Sequence, residues 1–401
     1  MIDKVTRKKR EYEMMLINQV RHNLYEKPVL NNLFLEVTSR CNARCEHCGS
    51  RCDGNMQGEE VSAEDLKKTL KEIAEHYDPY YVYLNVTGGE PLMRKDLFDI
   101  LNYAVSLGYR WGMTTNGMLI NENMFKKIEE AKMSTVSVSI DGLKETHEKF
   151  RRVPNSFDKI IDGIKMMLKS DVIQIVQVTT VVNKRNIHEL EELYQLLVDL
   201  GIKYWRVVNC DPIGRANDNS EILLDMEDYK TLFDFILAKQ KEGKMTDITY
   251  GCSHFVGAEL ETEVRHHYFY CLTGLTIASI LSNGDIFVCP NVPRRPELIQ
   301  GNIKTDSFVE VWENKFKEFR HEKRTACESC LKCPHWDYCG GDAFHTWNFD
   351  ENKPNVCLRP LFDEEYEEKV AEVSKPAKKK TSTKKTTTKK TTKKSIKKTV
   401  K

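Results

Sequence analysis

From residue 31 onward, short β-rich apolar runs alternate with longer stretches in which apolar residues recur at helical spacing. The strand candidates are Leu33–Val37, Tyr81–Val86, Tyr109–Thr114, Thr135–Ile140, Ile173–Val181 and Tyr204–Val208. Helical patterns lie between them at Ala63–His76, Lys95–Leu107, Asn121–Ala131, Phe157–Leu168 and Ile187–Leu200. Six strand-then-helix units predict an α/β fold, a parallel sheet curled into a partial (β/α)6, TIM-like barrel. In such barrels chemistry sits in the loops after the carboxyl ends of the strands.

Residues 3 to 26 read as a charged amphipathic helix ending near Pro28. After about residue 225 the period breaks. A helical stretch near 225–241 leads to a Cys-rich, loop-rich region. There Leu275–Leu281 and Ile286–Cys289 flank Asn283-Gly284 as a β-hairpin. The expected divisions are 1–30 (N-terminal helix), 31–225 (barrel), 226–265 (helical linker), 266–365 (small Cys-rich domain) and 366–401 (disordered basic tail).

Composition sharpens this. The chain has 401 residues, 30% charged and 40% apolar, which fits a globular protein with one large and one smaller domain. No run approaches a membrane span, and the N-terminus lacks the apolar stretch of a secretory signal. A reducing cytosol is therefore expected, where the 13 cysteines serve better as metal ligands than as disulfides. The net charge of +1 conceals an asymmetry: from Lys375 on the chain carries 13 lysines and no acid, leaving the rest at −12. A Lys/Thr tail of that kind is expected to be disordered; it is a solvated linker, a strand of charge lying against the acidic body, or a contact for anionic phosphate surfaces.

The first chemical signal is Cys41-x3-Cys45-x2-Cys48, directly after the first strand candidate. Three thiolates in one loop suit an iron–sulfur cubane whose fourth iron is left open. A closed zinc site completed by His47 or Cys52 is the alternative. CNARCEHC is similar to the CxxxCxxC signature of the radical S-adenosylmethionine (SAM) superfamily. Four further motifs follow at successive strand ends. Thr87-Gly88-Gly89-Glu90-Pro91 resembles that family's GGEP, Thr114-Thr115-Asn116-Gly117 its TNG, and Ser139-Ile140-Asp141-Gly142 its SxDG, with His147 and Arg151 downstream. Pro212-x-Gly214-Arg215-Ala216 resembles its P-x-GRA turn. Each alone reads equally as a tight turn. The resemblance spans residues 31 to 220 and implies a [4Fe–4S] cluster on Cys41, Cys45 and Cys48 that cleaves SAM to a 5′-deoxyadenosyl radical. It also implies SAM contacts from Gly88, Gly89, Glu90, Pro91, Asn116, Ser139, Asp141 and Arg151.

A second set comprises Cys271, Cys289 after Gly284, Cys330-x2-Cys333-x5-Cys339 and Cys357. It resembles the SPASM extension of radical SAM maturases, which implies one or two auxiliary [4Fe–4S] clusters. By that resemblance Cys330, Cys333, Cys339 and Cys357 hold the distal one, and Cys271 and Cys289 part of the proximal one. The next family cysteine falls on Ala343. Cys327 is the favoured replacement and Asp342 the other; a zinc ribbon on Cys327, Cys330, Cys333 and Cys339 is the alternative for the region.

Cys52, Cys210 and Cys252 carry no assignment and read as inert core thiols, with one exception. Cys210 ends the sixth strand candidate and faces the expected barrel mouth, so its thiol is a candidate to return a hydrogen atom to a substrate radical. Asp211 is a candidate general base. His266 and His267 read as hairpin packing and surface. What the resemblance implies is an enzyme acting on a peptide or protein, with maturation of a ribosomally made peptide as the leading expectation. About 30 residues precede the first strand, too few for a peptide-recognition domain, so capture falls to a separate protein, the N-terminal helix or the extension. A reducing electron donor is required. The alternatives are a small-molecule substrate such as a tetrapyrrole side chain and, from a different class, a non-catalytic iron–sulfur or zinc adaptor for nucleic acid.

Overall fold

Buried and half-buried positions alternate along most barrel strands, and that alternation sets the architecture. A computed structural model describes residues 4–52, 59–251, 254–322 and 325–363. Cys252 and the Lys/Thr-rich tail lie outside the described residues. The helix α1 (Lys4–Glu26) precedes β1 (Asn32–Glu36), and then strands and helices alternate: α2 (Ala63–His76), β2 (Tyr83–Thr87), α3 (Leu97–Ser106), β3 (Trp111–Thr115), α4 (Glu122–Glu130) and β4 (Thr135–Ser139). The pattern continues through α5 (Lys144–Arg151), α6 (Phe157–Met167), β5 (Ile175–Val182), α7 (Leu190–Asp199), β6 (Tyr204–Asn209), α8 (Met226–Glu242) and β7 (Asp247–Tyr250). All six expected strands are present and pair in parallel, β1 to β6 in order.

The structure adds three things. The segment expected as a helical linker contributes β7, which pairs in parallel with β6; four residues are too short a run to stand out in sequence. A polar helix, α5, follows the Ser139–Gly142 turn. The hairpin β8 (Ile277–Ile280) and β9 (Asp285–Phe287) forms around Asn283-Gly284 as expected, with Gly284 at φ 93°. It does not stand apart from the barrel: β8 pairs in parallel with β1, Leu33 opposite Ala278 and Leu35 opposite Ile280. With β10 (Gly301–Asn302) the result is one ten-stranded sheet, order β10-β9-β8-β1-β2-β3-β4-β5-β6-β7. The Cys-rich region is thus built onto the free edge of β1, next to the first cysteine loop.

The aliphatic side of the sheet, including Leu33, Leu35, Leu84, Val86, Val136 and Val178, is fully buried under the helices. Local sequence fixes those helices. Ser62 caps α2 by accepting from Asp65 N at 3.0 Å, and Leu66, Leu70 and Ile73 fall on one face. In α8 Asp225 and Asp228 form a capping box.

The opposite side departs from the packed interior usual in closed barrels. Thr135, Ser137 and Ser139 on β4, Gln177 and Thr179 on β5 and Arg206 on β6 are only half-buried. A cavity of about 240 Å³ lies among them, with Asn85, Thr114, Ser137, Gln177 and Arg206 in its wall. Hydroxyls tie strands together across this lumen, Tyr83 OH on β2 to Thr135 Oγ1 on β4, over β3, and Ser137 Oγ on β4 to Thr179 Oγ1 on β5, both at 2.7 Å. Gly112 completes the wall. A Cβ there would meet the Tyr83 hydroxyl and lie 2.8 Å from the Thr135 carbonyl oxygen. Gly112→Ala should therefore destabilise the fold by about 1–3 kcal/mol through overpacking, read as a lower urea midpoint at unchanged slope.

Candidate active site

Between Thr38 and Ser50 the chain has no helix or strand, and neighbouring loops hold it from outside. Gly89 N donates to Thr38 O at 2.7 Å and Glu90 N to Arg40 O at 2.8 Å. A Cβ on Gly89 would lie 2.6 Å from the Arg40 carbonyl carbon and 3.0 Å from Cys41 Cβ, so only glycine permits this approach. On the other flank Arg215 N donates to Cys48 O at 3.0 Å, and the Arg215 guanidinium donates to Cys45 O at 2.7 Å. Gly214, at φ 55°, presses against the same turn; its Cβ would lie 2.6 Å from the Gly49 carbonyl carbon. The glycine-rich motifs after β2 and β6 are the walls of a mould for the cysteine loop.

Cys41, Cys45 and Cys48 line one cavity of about 310 Å³ at the carboxyl ends of the strands. Burial pushes the Cys45 thiol up to about 11 and raises Cys41. Cys48 moves the other way, drawn below its ordinary value by a hydrogen bond from the Cys52 thiol. Cys52, unassigned in sequence, is therefore a partner to Cys48. His47 lines the same cavity: its ring stacks on Phe150 at 4.7 Å, and burial lowers it to about 4. Among the described residues no three His, Cys, Asp or Glu side chains converge on a point where a single metal ion would sit. Three soft ligands along one wall fit a cubane that needs a further ligand from outside the protein.

Gly88, Gly89, Asn116, Ser139 and Arg151 line this cavity. Of the other expected cofactor contacts, Glu90, Pro91 and Asp141 are buried, and the two carboxylates brace the loops around the cavity. The buried Glu90 carboxylate accepts from Thr115 Oγ1 and Asn116 N, each at 2.8 Å, which locks the β2 loop to the β3 loop. Asn116 in turn donates to Asn42 Oδ1 at 2.7 Å. Asp141, fully buried, accepts from Val181 N at 2.8 Å and pairs with Arg151 through Nε and Nη2, both at 2.8 Å. Burial alone would raise the Asp141 carboxyl, but Arg151 and the neighbouring imidazoles outweigh it and hold it below its ordinary value.

Cys210 and Asp211 lie in the same cavity, across from the thiols. Burial, reinforced by Asp211, pushes the Cys210 thiol well above its ordinary value, so it keeps its hydrogen. Asp211 accepts from Asn209 Nδ2 at 2.6 Å and His254 Nε2 at 2.9 Å, with His345 Nε2 at 3.6 Å. His345 also lines the cavity. Neither histidine carried a sequence signal, because 43 and 134 positions separate them from Asp211 and no local motif marks them.

Cys330, Cys333, Cys339 and Cys357 line a second, smaller cavity of about 50 Å³ together with Phe255 and Asp342. The Cys327 sulfur lies 3.1 Å from that of Cys330, which sets it beside this group. Ala343 is buried in an apolar cluster with Met14 of α1, Phe255 and Phe269, against which Cys271 also packs. The Asp342 carboxylate is committed to His254 Nδ1 at 2.7 Å and Phe255 N at 2.9 Å, so it does not stand in for the missing cysteine. Cys289 is buried beside the hairpin. His266 is exposed and pairs with Asp247, as a surface residue would.

Residues 35–197 match the model of the Radical SAM superfamily, and residues 271–334 match that of the SPASM iron-sulfur cluster-binding domain. Among curated proteins the chain is 29% identical to the AdoMet-dependent heme synthase of Methanosarcina barkeri, over 81% of this chain and 95% of that protein. It is 26% identical to the mycofactocin maturase MftC of Mycolicibacterium smegmatis, over 76% of each. Among solved structures it shares its fold with anSMEcpe bound to AdoMet and a peptide (TM-score 0.66, 23% identity, covering 86% of this chain and 98% of that one). Streptococcus suis SuiB bound to S-adenosylmethionine gives a TM-score of 0.63 at 19% identity, covering 78% and 73%.

Arg151→Met should strand the buried Asp141 carboxylate and cost about 3–5 kcal/mol. Denaturant unfolding of the metal-free protein checks this, and adding Asp141→Asn should restore part of the loss.

Proposed function

We propose that this chain, a radical SAM enzyme with a C-terminal SPASM-type iron–sulfur domain, abstracts a hydrogen atom from a peptide and matures a ribosomally made precursor. The observation that carries this reading is one cavity in which Cys41, Cys45 and Cys48 face Cys210 and Asp211. Cys41, Cys45 and Cys48 would hold a [4Fe–4S] cluster, which together with SAM would supply a 5′-deoxyadenosyl radical. Gly88, Gly89, Asn116, Ser139 and Arg151, which line the cavity, would be the residues that bind SAM there. The hydroxyl-lined lumen receives the substrate and satisfies its polar groups away from bulk water. Cys210, kept protonated, is placed to return a hydrogen atom. Asp211, kept ionised, is the alternative: where the substrate radical instead gives up its electron to an auxiliary cluster, Asp211 is placed to take the proton.

Similarity to the mycofactocin maturases supports the peptide. A second reading, a tetrapyrrole or other small molecule, draws on similarity to the heme synthases along nearly their whole length. Capture by a separate recognition protein, an auxiliary site using Cys271, Cys289 and Cys327, and contact of the tail with anionic surfaces belong to the proposal as well. No helix among the described residues is long and apolar enough to cross a membrane.

Anaerobically reconstituted protein with SAM and dithionite should form 5′-deoxyadenosine, and Cys41→Ala should abolish it. A precursor peptide encoded beside the gene should change mass in the same reaction, while iron-coproporphyrin III is unchanged; the reverse outcome selects the tetrapyrrole. Cys210→Ala should stop product while sparing SAM cleavage, and undiminished product would remove the thiol from the reaction.

A further inference from the structure

Asp211, His254 and Asp342 come from three distant parts of the chain and meet inside the protein. His254 is fully buried. One ring nitrogen lies 2.9 Å from Asp211 Oδ1, in the reaction cavity, and the other lies 2.7 Å from Asp342 Oδ2, in the wall of the thiol-lined cavity. We infer that His254 is a positioning residue that joins the two cavities, holding Asp211 at one end and Asp342 at the other as a single hydrogen-bonded unit.

Each end is pinned. At the first, Asn209 Nδ2 donates to Asp211 Oδ1 at 2.6 Å and lies 3.4 Å from His254 Nε2. In the middle, the Arg265 guanidinium donates to the His254 carbonyl at 2.6 Å, and the imidazole stands edge-on to the Tyr229 ring. At the far end Gly340, Gly341 and Asp342 run through three successive left-handed conformations, φ 64°, 83° and 72°. The third is uncommon for a residue with a side chain. The Asp342 carboxylate holds it there, because its second oxygen accepts from Phe255 N at 2.9 Å. This turn directly follows Cys339, so the bond to His254 fixes the exit of the thiol loop.

Burial alone would favour a neutral imidazole. The carboxylates of Asp342 and Asp211 outweigh it, and the ring carries its proton through the neutral range. Two anions then share one cation, and such a group stabilises little compared with apolar packing. Its use is that a carboxylate is presented to the cavity ionised and in one orientation. The role of Asp211 as proton acceptor rests on the proposed function. A substrate radical that gives Asp211 a proton must also give up one electron, which an iron–sulfur cluster on the Cys330–Cys357 thiols is the class of group to accept. The bond network makes the proton-accepting end and the electron-accepting end one mechanical and electrostatic unit.

The test needs no substrate. Full-length reconstituted protein, without peptide, is poised at a series of potentials, and the auxiliary-cluster signal is followed by EPR. Asp211→Asn, Asp342→Asn and the double variant form a cycle. Asp211→Asn should shift the auxiliary midpoint, although it lies in the other cavity. The two shifts should be non-additive with His254 present and additive in a His254→Gln background. No shift from Asp211→Asn, or additive shifts in both backgrounds, overturns the link. If His254→Gln fails to hold its iron, the first cycle decides alone. Once a modified substrate is in hand, His254→Gln should lower product per 5′-deoxyadenosine. A failed search for that substrate would count against the proposed function and leave the outcome of the redox cycle standing.

Discussion

The cysteine loop has no regular structure, yet it must hold three thiols along one wall. Backbone packed on backbone does this. The glycines after β2 and β6 bring two other loops so close that a methyl group would enter the carbonyls of Arg40 or Gly49. Hydrogen bonds from Gly89, Glu90 and Arg215 then occupy carbonyls that the loop cannot satisfy itself. A mould made of main chain has few rotamers to order and little room to yield. That rigidity is what a metal site with an open position requires of its protein.

Charge is buried behind the mould in pairs that brace it. Glu90 ties β2 to β3, and the Asp141–Arg151 pair ties β4 and β5 to the cavity wall. Each carboxylate has partners enough to remain buried without swinging into the cavity. The cavity face therefore presents glycine backbone, the Asn116 amide and the side chains of Arg151, Arg206 and Arg215. Asp211 is the exception among these acids, since it both lines the cavity and is tied inward through His254.

The lumen beneath is polar where a closed barrel would be packed. With seven strands running from β1 to β7 and the β8–β9 hairpin on the free edge of β1, the sheet stays open. Threonine, serine, asparagine and glutamine on alternate positions accept that exposure, while the aliphatic positions between them carry the fold against the helices. Stability and chemistry thus use opposite faces of the same strands. The hairpin on β1 also brings the second cysteine set to the side of the first.

Six strands and the neighbouring helices were legible because each is a local pattern, and so were the cysteine loop and the glycine motifs at successive strand ends. β7 was too short to register. The sharing of β1 between barrel and hairpin left no trace, because pairing depends on which edge is free. Sequence named Glu90 and Asp141 but not their direction: burial and nearby donors turned both away from the cavity. It gave no sign that Ala343 sits in an apolar cluster with Met14, nor that Cys52 polarises Cys48, nor that His254 bridges two carboxylates. By itself the sequence determined the elements and the candidate ligands in contiguous motifs, since spacing along one loop fixes what that loop can hold. Which buried charges meet was decided only by the tertiary structure, because ion pairing inside a protein follows distance in space and is indifferent to distance along the chain.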